Sequence, residues 1–501
     1  MTTTSQAPSA TASAWQRFER AALTPVDASW LVAFRVLFGL VLSVSALRFI
    51  HYGWIDGLFV DPSFRFRYFG FEWVPVPTGA QVHALFWVVV GLGVAVAAGF
   101  LFRLSALLLF ACFATLQLID VTNYLNHYYL ACLLTLLLAL SPAGKTASVD
   151  SWLGISRAQT EVPRAWHWLL RVQVGVVYTF AGLAKATSDW LIHAQPLRIW
   201  LNSRTDMPVL GPLFAEPLAA PVMSWCGFLF DTTIVWFLLW RRTRVPAYLV
   251  VIAFHTVTRL LFPIGMFPFI MVLGALVFFP ADWPRALVRR ARGVLERRTR
   301  TANVATSTDA AQTAQLTDTP RSASSTSNTS APRAGARQRL ALGLGLTYCA
   351  FQVLMPLRHL AYGGNVLWDE QGMRFSWRVM VREKNGSITY IVRDTNGKEW
   401  HVPTHKYLTR LQERELAGQP DLILQLGHHI ARDFAARGYP DVSVQVDALV
   451  SLNGRRLAPL IDPEVDLTTI RDGVAKAHWI LPAPKDPPPH IKPLRAETAR
   501  R

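Results

Sequence analysis

Long apolar runs separated by short polar segments make up most of the chain. Nine of them approach the length that crosses a bilayer as a helix, about 17 to 25 residues: 30–50, 82–102, 105–121, 128–143, 166–185, 218–240, 245–262, 264–279 and 340–357. Because the bilayer interior offers no water, such segments must satisfy their backbone hydrogen bonds internally, as helices do. The pattern predicts a mainly α fold, a polytopic helical membrane bundle of about nine transmembrane helices.

The pattern changes after the ninth run to that of a water-soluble domain. Residues 387–392 and 442–452 resemble strands, and Asn-Gly turn pairs follow at 396 and 453. Between them, residues 422–438 have helical periodicity and end at a glycine. We therefore expect a small extracytoplasmic α+β domain over residues 359–481.

Polar segments set the remaining boundaries. We expect an N-terminal tail without a signal peptide, because no basic segment precedes an apolar run there. The Ser/Thr-rich stretch before the ninth helix is too polar to bury a core, so it predicts a disordered linker. The predicted order is tail 1–29, helices one to eight 30–283, basic then Ser/Thr-rich cytoplasmic linker 284–338, helix nine 339–358, outer domain 359–481 and disordered tail 482–501.

The net charge of +17 is unevenly distributed, and the most basic segment is 285–300. Basic residues beside membrane helices remain on the cytoplasmic side, so we expect a cytoplasmic N-terminus, an extracytoplasmic C-terminal domain and a bacterial inner membrane location. Clustering of these residues at helix ends favours anionic lipid headgroups over nucleic acid as the partner. The lipid bilayer is therefore an expected partner, and nucleic acid is not.

Ionisable side chains within apolar runs are costly and need a reason. An inner set consists of Arg35, Arg171 and Asp231, for which we expect a buried Arg–Asp pair that holds helices together. An outer set falls near one membrane level and suggests a single site: Asp120, Asn126, His127, Lys185, His255, Arg259, Met266, Phe267 and His359.

Lys185 has two interpretations. A lysine at a helix end often extends its ammonium towards the membrane surface, and this would be a structural role. Alternatively, a desolvated amine gives up its proton more readily and can act as a general base. Single histidines at helix ends are usually structural as well, and no spacing typical of zinc ligands accompanies them.

Several stretches carry a resemblance to a known family, in order and with compatible spacing from residue 33 to 467. They are AFRVLFG (33–39), LID and NHYYL (118–130), GLAKATSDW (182–190), AFHTVTRLLFPIGMF (253–267), ADWPRALV (281–288), FSW (375–377), VSLN (450–453) and IDPEVDL (461–467). The chain resembles the vitamin K-dependent γ-glutamyl carboxylases, in a bacterial type with an HTTM domain. One departure is Met373, where the animal enzymes have a tyrosine.

The resemblance implies roles for individual residues. Lys185 matches the catalytic base, although Ala184 replaces the lysine that precedes it in the family pattern. It implies binding of the quinone by Asn126, His127, His255, Met266 and Phe267. It also implies a substrate-side or structural role for His359, Trp377 and Met380.

The implied activity is carboxylation of glutamate in a peptide or protein, coupled to conversion of reduced vitamin K to its epoxide. The vitamin would be phylloquinone or menaquinone hydroquinone, with O2 and CO2 as co-substrates and no metal. Two alternatives remain open from the residues. One is a membrane quinone epoxidase or oxidoreductase that carboxylates no protein, and the other is a non-enzymatic lipid-binding or transport protein.

Overall fold

A computed structural model describes residues 13–304 and 335–489. Most of the predicted Ser/Thr-rich linker, the first twelve residues and the last part of the predicted C-terminal tail lie outside these ranges. The predicted N-terminal tail is partly ordered, because Ser13 caps a helix, α1 (Ala14–Leu23), and accepts a hydrogen bond from the Gln16 backbone. A short strand, β1 (Pro25–Asp27), then pairs antiparallel with β2 (Glu161–Pro163).

Helices coincide with all nine predicted runs. The longer helices of the membrane part are α2 (Ser29–His51), α3 (Gly79–Ala98), α4 (Phe102–Leu118), α5 (Asn126–Leu140), α7 (Arg164–Leu183), α11 (Ala219–Leu239), α12 (Arg244–Leu261), α13 (Phe267–Ala275), α14 (Trp283–Val304) and α15 (Ala336–Leu357). Shorter helices between them are α6 (Val149–Trp152), α8 (Ser188–Leu191), α9 (Leu197–Asn202) and α10 (Gly211–Phe214).

The prediction of nine spans is confirmed only in part. Among the described residues, five helices are long and apolar enough to cross a membrane: α2, α3, α11, α12 and 336–361. A sixth span is possible if α13 and α14 are counted as one broken span, although they meet at an angle of 89°. Helices α4 and α5 are apolar but shorter. The chain is thus a mainly helical membrane protein, with five or six candidate spans in the part that the structure describes.

The predicted Arg–Asp pair within the membrane is wrong. Arg35 donates hydrogen bonds to the carbonyls of Ala143 and Ala147, both at 2.7 Å. Arg171 donates to the carbonyls of Val277 at 2.8 Å and Phe279 at 3.0 Å.

Helix ends leave backbone carbonyls without intrahelical partners, and a guanidinium offers five donors to satisfy them. Both arginines are used in this way, at chain segments where helices end. Asp231 is therefore left for a different partner.

The part of the chain after α15, which we call the outer domain for its predicted location, has the predicted α+β character. Its sheet order is β4–β3–β5–β6, and all neighbouring pairs are antiparallel. The strands are β3 (Lys384–Arg393), β4 (Glu399–Pro403), β5 (Ser443–Leu452) and β6 (Ala458–Pro459), and the helices are α16 (Val366–Asp369), α17 (Arg410–Leu416) and α18 (Pro420–Ala436).

Alternate side chains of β5 are buried, from Val444 to Leu452, which is the pattern of a strand with one face in a core. Helix α18 packs against this face through Ile423, Leu426 and Ile430, which are fully buried. The segment that precedes β3 packs against this core. Residues 373–381 of that segment extend towards the membrane helices.

Candidate active site

Lys185 lies two residues beyond the end of α7, and only 5% of it is exposed. Its Nζ donates to Asp231 Oδ2 at 2.8 Å, to the Ala181 carbonyl at 3.1 Å and to the Val379 carbonyl at 3.4 Å. These acceptors belong to α11, to α7 and to the segment before β3. The amine is therefore held inside the protein at the junction of the membrane helices and the outer domain.

An apolar cavity of about 860 Å³ lies next to this amine. Helices α7, α11, α12 and α13 form its walls, with Tyr178, Phe230, Phe254 and Phe267 among the lining side chains. Lys185 and Asp231 line it too, and its lining extends to Thr243 at the loop between α11 and α12. Such a cavity is large enough for a small organic ligand, for which a mostly apolar wall with a few polar groups is typical.

Two buried histidines flank Phe267. The His255 ring centroid is 5.7 Å from that of Phe267, and the His127 ring centroid is 6.0 Å from it. His255 Nε2 lies 3.0 Å from the Tyr178 hydroxyl. His255 Nδ1 and His127 Nε2 are buried without a hydrogen-bond partner among the described residues. Because buried polar atoms nearly always have partners, these two nitrogens are available to a hydroxyl or carbonyl of a ligand.

A second cavity, of about 440 Å³, lies on the other side of Met380. Its lining includes Phe49, Phe113 and Asn126 from the helices and Arg374 and Arg378 from the segment before β3. Met380 lines both cavities, so the apolar chamber and the more polar one are neighbours at this residue.

The segment between the two cavities has an unusual backbone. Phe375, Trp377 and Met380 have φ values of 60°, 58° and 52°, and such angles are rare for bulky residues and store strain. Trp377 is 1% exposed and stacks on Tyr129, with ring centroids 4.9 Å apart. This packing holds the segment in the conformation that brings the Val379 carbonyl to Lys185.

His359, two residues beyond the end of α15, contacts the same segment. Its Nε2 accepts a hydrogen bond from Arg378 Nη2 at 2.8 Å, and its Nδ1 lies 2.9 Å from the Pro356 carbonyl. The Asn126 amide donates to the Arg378 carbonyl at 3.4 Å. His359 and Asn126 therefore orient Arg378 from two sides.

The structure distributes the candidate residues over two chambers. Lys185, His255, Phe267 and Met380 line the apolar cavity, whereas Asn126 and Met380 line the smaller one. The others are buried or half-buried beside the chambers without lining either: His127, Met266, His359 and Trp377. Sequence reasoning missed Tyr178 and Val379, and it assigned Asp231 to another level of the membrane.

A buried ion pair joins the outer domain to the chain just after Lys185. Arg455 donates to both carboxylate oxygens of Asp189 at 2.6 Å, and the Asn453 amide donates to Asp189 Oδ2 at 2.8 Å. Burial raises the pKa of Asp189, but the hydrogen bonds from Arg455 and Asn453 outweigh it, so the pKa lies below the usual value. Asp189 thus remains ionised at neutral pH.

We expect Arg455→Ala to destabilise the folded protein by about 3 to 5 kcal/mol, because it leaves a buried carboxylate unpaired. Arg456→Ala, at an exposed neighbouring position, is the matched control. Thermal unfolding in detergent measures both. The lowered pKa of Asp189 means that the stabilisation is present above about pH 3.9 and lost as the pH falls through the folded value. The unfolding free energies of Arg455→Ala and Arg456→Ala should therefore become similar in acid. Equal unfolding free energies at pH 7 would contradict a stabilising ion pair between Arg455 and Asp189.

Within residues 13–304 and 335–489, no group of three or more His, Cys, Asp and Glu side chains could hold a metal ion. Residues 23–283 match the family described as the HTTM domain. Residues 337–486 match the vitamin K-dependent gamma-carboxylase, lumenal domain. No solved structure matches the chain. The first match covers more than half of the chain and the second follows it in order, so this protein belongs to the vitamin K-dependent γ-carboxylase family.

Proposed function

We propose that this protein is an integral membrane γ-glutamyl carboxylase that couples conversion of reduced vitamin K to its epoxide with carboxylation of protein glutamate. The observation that carries the proposal is the buried amine of Lys185, which lies between an apolar cavity of about 860 Å³ and a strained segment of the outer domain. The HTTM and lumenal-domain matches support it. A lipid-binding protein would have no evident use for a buried base at this position.

The apolar cavity suits a lipid-soluble quinone. Its ring would lie near Phe267, where His127 Nε2 and His255 Nδ1 could bind its oxygen atoms. Its hydrocarbon tail would follow the apolar walls of α11 and α12 away from Lys185. Walls of this kind exclude water, which would otherwise quench a strong base formed in the site.

Lys185 would accept a proton from the bound hydroquinone. An amine is far too weak a base to remove the γ proton of glutamate, so its own task is limited to this more acidic hydroxyl. The reduced vitamin, when bound, supplies the electrons for reaction with O2 and thereby the driving force for proton removal from glutamate. The protein contributes the position of the amine and the exclusion of water.

The smaller cavity suits the glutamate side chain. Arg378 lines it with a buried Nε that has no hydrogen-bond partner among the described residues, and guanidinium groups bind carboxylates strongly. The other two arginines that line it have carboxylate partners: Arg374 pairs with Asp421 at 2.6 Å and Arg382 with Glu370 at 2.9 Å. Movement of Met380 would connect the glutamate to the quinone chamber.

The outer domain would lie on the extracytoplasmic face of a bacterial inner membrane.

The decisive experiment uses the purified full-length protein in detergent with reduced vitamin K, O2, a glutamate-containing peptide and labelled bicarbonate. We expect vitamin K epoxide and label in the peptide, both of which depend on O2. Epoxide without labelled peptide would replace the proposal with a quinone oxidoreductase. Absence of both products, with quinone still bound, would favour a lipid-binding protein.

We expect His127→Ala to raise the hydroquinone concentration at half-maximal rate by about fivefold to 150-fold. The reason is that the change removes a polar partner of a buried ligand oxygen, at a cost of about 1 to 3 kcal/mol. Asn126 lines the smaller cavity, so Asn126→Ala should raise the peptide concentration at half-maximal rate instead. His83→Ala is the control, since that side chain is 45% exposed and pairs with Asp56. Epoxide formation against hydroquinone concentration gives the values. An unchanged hydroquinone value in His127→Ala would remove His127 from the quinone site, and an unchanged peptide value in Asn126→Ala would remove Asn126 from the glutamate site.

A further inference from the structure

The hydrogen bonds of Lys185 leave it no free lone pair. An ammonium has three N–H donors, and Nζ has three acceptors, on Asp231, Ala181 and Val379. In this arrangement every position around the nitrogen is used by a proton that points at an oxygen. A base must be neutral before it can accept a proton, so the amine has to lose one of these protons first.

We propose that Asp231 is the residue that takes this proton. The inference rests on the proposed function for the role of Lys185 but concerns a different residue. The Nζ–H bond that points at Asp231 breaks and an Oδ2–H bond forms, which leaves a neutral amine beside a neutral carboxylic acid. Rotation about the Cε–Nζ bond turns the freed lone pair from Asp231 towards the cavity, where the hydroquinone O–H bond breaks and a new Nζ–H bond forms. The products are an ammonium, a carboxylic acid and a hydroquinone oxyanion, so protons and charge balance.

The position of Asp231 fits this role. It is 6% exposed, and its Oδ2 lies 2.8 Å from Nζ. Among the described residues that line the apolar cavity, Asp231 is the only carboxylate. Apolar surroundings penalise both members of an ion pair, and this brings the neutral pair closer in free energy to the charged one than it would be in water.

Other titratable groups near the pair make no hydrogen bond to the Lys185 amine. Tyr178, Cys226 and His255 line the same cavity, and His255 keeps an unpartnered Nδ1, but the hydrogen bonds of Nζ go to Asp231, Ala181 and Val379. Asp189 of α8 is bound by Arg455. Arg378, from the segment before β3, donates to His359. The short contact from Nζ to a carboxylate is made by Asp231.

Proton transfer within the Lys185–Asp231 pair would give the fraction of neutral amine a distinctive pH dependence. If the proton moves within the pair, the fraction of neutral amine stays constant with pH, because the total number of protons on the pair does not change. Activity is then lost only in acid, when Asp231 is protonated from solvent. If Lys185 instead loses its proton to solvent, the fraction of neutral amine rises about tenfold per pH unit below its titration point.

The first measurement is reductive methylation of Lys185 with formaldehyde and an amine–borane reductant between pH 6 and 9, followed by mass spectrometry of the digested full-length protein. Lys406, an exposed lysine of the outer domain, is the internal standard in the same digest. We expect a nearly constant rate for Lys185 in the parent and a rate that rises with pH in Asp231→Asn. A parent rate that rises tenfold per unit would overturn the proposal. This readout needs no carboxylase activity, so it remains separate from a failure of the proposed function.

The second measurement is the pH profile of epoxide formation. In Asp231→Asn, the amide oxygen can accept a hydrogen bond from Nζ but cannot take its proton. The acid limb of the profile, which is the pH range where epoxide formation falls on acidification, should therefore move to higher pH. Activity should return in alkaline solution. If Asp231 acted only as a counter-charge, its loss would ease deprotonation of the amine and move the limb to lower pH. A merely structural role would lower the rate without moving the limb. Either of these outcomes contradicts the proposal.

Asp282→Asn is the matched control, because this carboxylate is exposed and lies at the start of α14, away from the cavity. It should leave both pH profiles unchanged. Asp231→Glu keeps a carboxylate and should restore the parent position of the acid limb at a lower rate. If Asp231→Asn does not fold, the labelling profile of the parent protein still decides the question.

Discussion

Lys185→Ala is expected to abolish epoxide formation at neutral pH and to recover part of it when small primary amines are added. General base catalysis contributes about 10²- to 10⁴-fold to rate, so a loss of this size is expected. The truncated side chain leaves space beside Asp231 that a small amine can enter, and the hydroquinone hydroxyl is acidic enough to be ionised by it. The rate of epoxide formation against amine concentration, at constant pH, is the measurement.

Lys185→Arg provides the control for this experiment. The guanidinium keeps the positive charge and can still pair with Asp231, but it does not lose its proton at these pH values. We therefore expect a folded protein without epoxide formation. A folded arginine variant with near-parent turnover would show that Lys185 is a structural anchor. Thermal unfolding of both variants separates a loss of activity from a loss of fold.

The sequence predicted much of the membrane domain because its signals are local. Apolar runs coincide with helices at all nine predicted positions. What local signals could not determine is which of these helices cross the membrane completely. Helices α4 and α5 are short and α13 meets α14 at 89°, and these features depend on how the chain breaks and bends between apolar residues.

Asp231 illustrates the limit of assigning depth from helix order. It lies within α11, well before its end at Leu239, whereas Lys185 follows the end of α7. Counting residues placed them at different levels, but the helices are offset and their side chains meet at 2.8 Å. The relative shift of two packed helices depends on the shapes of the side chains between them, which the sequence of either helix alone does not reveal.

The segment that contains Trp377 and Met380 could not be placed from sequence either. Its positive φ angles at Phe375, Trp377 and Met380 are unfavourable in isolation. They persist because distant residues hold the segment, among them Tyr124, whose hydroxyl accepts from the Phe375 backbone at 2.8 Å. A conformation that tertiary contacts impose against local preference has no local sequence signal.

Gly182→Ala is expected to reduce epoxide formation at least tenfold and to destabilise the protein. A β-carbon at this position would lie 2.6 Å from Thr232 Cγ2, 2.8 Å from the Thr232 backbone nitrogen and 3.1 Å from the Asp231 carbonyl carbon. The last two contacts are with backbone, so the helices must move apart. Overpacking of this kind costs about 1 to 3 kcal/mol, and the separation would lengthen the contact between Lys185 and Asp231.

Gly175→Ala tests the same substitution on the same pair of helices without the clash. There a β-carbon would lie 3.5 Å from Val235 Cγ1, which is an ordinary contact. Because alanine lowers the conformational entropy of the unfolded chain, this variant should be as stable as the parent or more stable by up to about 1 kcal/mol. Thermal unfolding and epoxide formation are measured for both variants. Parent activity in Gly182→Ala would mean that catalysis tolerates separation of α7 from α11, and the close approach at Gly182 would then serve packing alone.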